Sequence, residues 1–65
     1  MKWIPVTERL PEPDTPVLVT IDYAGERDIS IDYYSKDYMD WMNFDDNVVA
    51  WAELPEPYGV EHEHY

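Results

Sequence analysis

Val17-Leu18-Val19-Thr20-Ile21-Asp22-Tyr23, then Ala24-Gly25-Glu26, then Asp28-Ile29-Ser30-Ile31-Asp32-Tyr33-Tyr34 is the stretch that decides the fold class. In the first run Val17, Val19, Ile21 and Tyr23 point one way while Leu18, Thr20 and Asp22 point the other, the period-two signature of a strand. In the second run Ile29, Ile31 and Tyr33 alternate with Asp28, Ser30, Asp32 and Tyr34. Gly25 can adopt the positive φ of a tight reversal, so Ala24-Gly25-Glu26 predicts the turn of a β-hairpin. The Asp-bearing face of the second strand is expected in water and its β-branched face against the core, an arrangement that antiparallel sheets allow.

On the N-terminal side of the hairpin, four prolines fall between Pro5 and Pro16. Each lacks an N–H and restricts its predecessor, so Pro11-Glu12-Pro13-Asp14-Thr15-Pro16 reads as an extended lead-in. Thr7-Glu8-Arg9-Leu10 has room for one helical turn. Downstream, Ser35-Lys36-Asp37 reads as a second turn and Tyr38-Met39-Asp40-Trp41-Met42 as a short strand. A helical turn there, hence a small α+β fold, is the other reading. Asp45-Asp46-Asn47 is a polar turn before the strand Val48-Val49-Ala50-Trp51-Ala52. The expectation is a mainly β fold: an antiparallel meander of three or four short strands with a Pro-rich lead-in and a C-terminal clasp. One domain is expected over 1–57, with 58–65 as a poorly ordered tail.

The chain has 65 residues, 15 Asp or Glu against 4 Lys or Arg, a formal net charge of -11 and no Cys. A domain this small buries only about 60% of its unfolded surface, so its core must be efficient. With 45% apolar residues, including 3 Trp and 6 Tyr, it exceeds what a disordered acidic tail carries. Without Cys there is neither a disulfide frame nor a thiolate zinc site, and a cytoplasmic setting is the expectation. No apolar run reaches the roughly 18 residues of a membrane span. A sheet this small also needs cover. Trp3, Ile4, Val6 and Leu10 before it, Leu54 after it, and Trp41 and Trp51 within it are the candidates for a structural clasp.

Chemistry is thinly represented. Nucleophilic catalysis needs a Ser, Thr or Cys beside a base, yet both histidines, His62 and His64, lie in the tail. Acid–base work needs a carboxyl with a raised pKa, and the Asp residues read as turn or solvated-face groups. No enzyme activity and no cofactor are expected. Glu61-His62-Glu63-His64 offers imidazoles and carboxylates to a metal but fits no known ligand frame, and no EF-hand loop is present. There is no phosphate-binding loop and no basic stripe, so direct nucleic-acid binding is opposed.

Trp3-Ile4-Pro5-Val6, Arg9-Leu10-Pro11, Val17-Leu18-Val19, Tyr33-Tyr34 and Trp51-Ala52-Glu53-Leu54-Pro55-Glu56-Pro57 together resemble an uncharacterised family, the domain of unknown function numbered 551. The resemblance runs from about Trp3 to Pro57. It implies a phage or prophage setting, hence the host cytosol, and a small β-rich domain, with no established reaction to carry over. Where the family usually has a His before the last Trp, this chain has Ala50. The motif residues are mostly apolar or Pro, which suits a scaffold. Arg9 is expected to bond carbonyls that the Pro-rich turns leave free.

The acids remain. A compact domain of this length has a radius of gyration near 11 Å. Duplex DNA carries about 13 charges over the corresponding 22 Å, close to the net charge of -11. Asp22, Glu26, Asp28, Asp32, Asp37, Asp40, Asp45 and Asp46 are expected to form an acidic face, with Tyr34 and Tyr38 as anchors. The function this predicts is non-enzymatic. The expected role is to bind, and inhibit, a host protein with a basic surface, nucleic-acid mimicry being one route. The alternatives, with no inhibitory role, are a small structural domain, self-association through a free edge beside the last strand, or a metal-binding module. The plain reading of the charge is that it keeps a tiny domain soluble.

Overall fold

The computed structural model describes residues 1–59. It contains β1 (Ile4–Pro5), β2 (Val17–Tyr23), β3 (Glu26–Asp32), β4 (Tyr34–Ser35), β5 (Asp40–Trp41) and β6 (Val48–Ala52), with a single 3₁₀ turn at Asp45–Asn47 before the last strand. A four-stranded antiparallel sheet runs in the order β1-β6-β2-β3, and β4 and β5 form a second, two-stranded pair. The fold is mainly antiparallel β. Among the described residues no helix is long and apolar enough to cross a membrane.

The β2–β3 reversal uses two residues, not three. Ala24 (φ 54) and Gly25 (φ 91) both take positive φ, the pattern of the tight turn whose twist suits a hairpin. Tyr23 therefore faces Glu26, and the ladder runs down to Val17 opposite Asp32. A register shift of one residue exchanges the two faces of a strand. The expected polarity of β3 is accordingly reversed: Ile29 and Ile31 are 66% and 53% exposed, while Asp32 is 1% exposed on the core side.

The core gathers Val17, Val19 and Ile21 of β2 with Trp41, Val48 and Trp51, and Ile4, Val6, Tyr34 and Phe44 pack around them. Simple alternation would place Val48 and Trp51 on opposite faces. The ladder shifts between Thr20, which faces Ala50, and Ile21, which faces Val48. The bulge takes up Val49 as the extra residue and turns both side chains inward. Tyr34 meets Trp41 edge-on, with ring centroids 5.7 Å apart and planes at 80°.

The ends close differently from the expected clasp over one face. β1 joins the sheet edge-on, Ile4 opposite Trp51 and Pro5 opposite Ala50. This puts β6 in the sheet interior, so the free edge belongs to β3 and not to the last strand. Cover for the packed face comes from the β4–β5 pair and Phe44. In the stretch expected as one strand only Asp40–Trp41 is strand; Tyr38 and Met39 belong to the turn, Met39 with φ 56. The helical turn expected over Thr7–Leu10 does not form; residues 6–8 make a plain turn in which Glu8 N–H donates to the Pro5 carbonyl at 2.9 Å, and Asp14 N–H ties the Pro-rich segment to the Tyr34 carbonyl at 2.8 Å.

Candidate functional site

The carboxylates sort into three environments. Asp32 is sealed. Its Oδ1 accepts the Tyr33 N–H at 2.7 Å, both oxygens accept the Asn43 N–H at 3.1 Å, and Oδ2 accepts the Phe44 N–H at 3.1 Å. It is the tie that holds the Asn43-Phe44 segment to the end of β3. The expectation that it belongs to a partner-binding face is corrected on this geometry.

Asp22 lies in the second environment, beside the hairpin turn. Arg27 Nε donates to its Oδ2 at 2.9 Å and the Gly25 N–H to its Oδ1 at 2.9 Å. The Arg27 hydrogen bond first, then the Gly25 N–H, hold its carboxyl below the ordinary value. Arg27 is thereby committed to a carboxylate of its own chain. Glu26 and Asp28 on the neighbouring strand stay exposed, on the side of the sheet that bears Ile21 and Tyr23.

The third environment is a groove. Tyr38, Asp40 and Asp45 line it with Trp41 and Met42, around a shallow volume of about 390 Å³. Asp40 Oδ1 accepts the Trp41 N–H at 2.8 Å. Tyr38 is 74% exposed. Asp37 is exposed in the turn after β4, and Asp46 in the 3₁₀ turn. Tyr34 is not a free anchor, because its ring is spent on Trp41.

At the chain ends, the buried Trp51 indole donates to the Arg9 carbonyl at 2.9 Å, and the Arg9 guanidinium carbon stands 5.5 Å from the Trp51 ring centroid. The arginine makes a cation–π contact, in place of the expected bonds to turn carbonyls. Leu10 and Leu54 are exposed and line shallow grooves of about 510 and 490 Å³ beside this pair, Leu54 in both. Trp3, Ile4 and Val6 are half-buried. His62 and His64 lie outside the described residues. Among the described residues no three Asp, Glu or His side chains converge as a metal site.

A family model described as "Protein of unknown function (DUF551)" matches residues 2–59. The chain belongs to the DUF551 family. No curated protein and no solved structure matches it. The motif ends of this DUF551 chain meet in space: Arg9 of the first contacts Trp51 of the second.

The DUF551 domain is also less compact than its length predicts, with a radius of gyration of 13.4 Å and extents of 45 × 28 × 20 Å. Duplex DNA over twice that radius carries about 16 charges, so a net charge of -11 is roughly two thirds of that density. Two features escaped the sequence reading, the buried role of Asp32 and the exposure of Ile29 and Ile31. Counting the register from a two-residue turn finds both, because it sets Asp32 opposite Val17 and Ile29 opposite Thr20.

Proposed function

We propose that this DUF551 domain is a non-catalytic interaction module, a phage-type accessory protein that binds and thereby inhibits a host protein with a basic surface, such as a nuclease. The observation that carries the reading is the groove where Tyr38, Asp40 and Asp45 meet beside Trp41 and Met42. Such a groove suits a Lys or Arg side chain: the apolar stem lies along Met42 and Tyr38, and the cationic head meets two carboxylates. Glu26, Asp28, Asp37 and Asp46 extend the attraction beyond the groove, which speeds encounter and makes it salt-sensitive.

If the acids serve only solubility, Asp40 and Asp45 carry no special weight. Capture from bacterial lysate at low and at high salt, with the wild type and with the Asp40→Asn/Asp45→Asn double variant, tests the difference. Asn keeps the oxygen that accepts the Trp41 N–H, so the fold is expected to persist. The expected result is a basic partner retained at low salt, released at high salt, and held about tenfold less tightly by the variant, the size of two modest ion pairs. A partner held equally by the variant, or unaffected by salt, would overturn the reading.

A further inference from the structure

β3 is the long outer strand of the sheet; the other edge, β1, has only 2 residues. In a two-residue hairpin the pair flanking the turn is hydrogen-bonded, and bonded and non-bonded pairs then alternate. The backbone groups of Glu26, Asp28, Ser30 and Asp32 therefore face β2, and those of Arg27, Ile29 and Ile31 face outward. Among the described residues no turn or loop backbone group bonds these three. Their side chains lie on the face away from the core, where Ile31 continues into the half-buried Leu18 and the buried Ala52, and Ile29 into Thr20, Ala50 and Pro5. Ile29 and Ile31 are more than half exposed. Glu26 and Asp28 project from the opposite side of the same edge.

We infer that this edge receives a strand from the basic partner: an extended segment in which Lys or Arg alternates with Val, Ile or Leu, added antiparallel to β3. The inference rests on the reading of a basic partner and adds how that partner is held. Directly opposed residues share a face, so the partner's apolar side chains sit against Ile29 and Ile31 and extend their rows, while its cations meet Glu26 and Asp28. Main-chain bonds to Arg27, Ile29 and Ile31 hold the segment, and the alternation selects it. Charge argues against a second copy as the occupant. Self-pairing centred on Ser30 would set Asp28 against Asp32 between two chains of net charge -11, and opposed like charges destabilise a pair. Charged residues on an edge keep a strand from its own kind; here the same charges attract a basic one.

The test uses the full chain and three end-blocked peptides: Lys-Val-Lys-Val-Lys-Val-Lys, the same peptide N-methylated at each Val, and Lys-Lys-Lys-Lys-Val-Val-Val. Residue-resolved amide hydrogen exchange reads the outcome. The alternating peptide is expected to slow exchange at Arg27, Ile29 and Ile31 by about tenfold, the effect of binding at roughly ten times Kd, with Asp28 and Ser30 little changed. The other two peptides should give no such pattern. Ile29→Pro should abolish it, since a proline is tolerated where the N–H faces away from the ladder; if that variant does not fold, the N-methylated peptide decides. Equal binding of all three peptides, weakened alike by Glu26→Gln/Asp28→Asn, overturns strand addition and leaves the basic-partner reading standing. Absence of protection with every peptide also overturns it, as does protection of the same amides that rises with protein concentration alone. The basic-partner reading itself falls only if the lysate capture fails too.

Discussion

Asp28 and Asp32 stand on the same side of β3, one opposite Ile21 and the other opposite Val17, yet one is in water and the other is sealed from it. What separates them is the supply of donors. At Asp32 the chain turns back, and the N–H groups of Tyr33, Asn43 and Phe44 converge on the carboxylate. No such convergence meets Asp28 among the described side-chain bonds. A carboxylate in this small domain thus becomes structural where loop N–H groups would otherwise lack partners, and stays available for recognition where the ladder has already used them.

The largest expected effect breaks the sealed side of this comparison. Asp32→Ala leaves three backbone N–H groups without an acceptor, and hydrogen bonds to a charged group are the stronger kind. We expect a loss of about 3 kcal/mol in denaturant unfolding. A chain of this length has about 3 to 10 kcal/mol in all, so the variant should be largely or partly unfolded at room temperature. Asp32→Asn should also destabilise, because its NH₂ would aim a donor at N–H groups. A loss under about 0.5 kcal/mol for the Ala variant would show that Asp32 does not tie Asn43-Phe44 to β3.

This contrast also marks how far the sequence could be read. The period-two run from Val17 to Tyr23 and its hairpin are legible because burial on one face imposes alternation, and β6 because of its β-branched residues and Trp51. The face of β3 is not, because Ile29 and Ile31 carry the stronger hydrophobic signal and point away from the core. Reading Ala24-Gly25-Glu26 as a three-residue turn aligns those isoleucines with Ile21 and Val19; the observed two-residue turn aligns Asp28 and Ser30 there instead. β6 lies between β1 and β2 through contacts distant in the chain, which local patterns do not encode. The groove is equally illegible, since Tyr38, Asp40 and Asp45 meet only through the β4–β5 turn and the 3₁₀ turn.

The exposed side of the comparison is sharpened by Asp28→Asn. With no bonded partner to lose, its unfolding free energy should stay within about 0.5 kcal/mol of the wild type. Its association with a basic partner should slow, with a reduced dependence on salt. A stability loss above about 1 kcal/mol would mean that Asp28 is engaged as Asp32 is, and would withdraw it from the acidic face.

Asp22 falls between the two, bonded to Arg27 and the Gly25 N–H but not sealed, and its effect is read from its pH dependence. Because its folded pKa lies below the ordinary 3.8, the unfolded chain binds the proton more readily. The stabilisation is therefore complete above that ordinary value and is lost as pH falls through the lower folded one. Unfolding free energies of wild type and Asp22→Asn, compared across that range, should differ by a constant amount in neutral solution and converge in acid. Added salt should shrink the difference, since an exposed pair is screened. Convergence on raising the pH instead would mean that Arg27 does not stabilise the carboxylate, and that the only cation beside Glu26 and Asp28 on β3 is free to offset the charge a basic partner would meet.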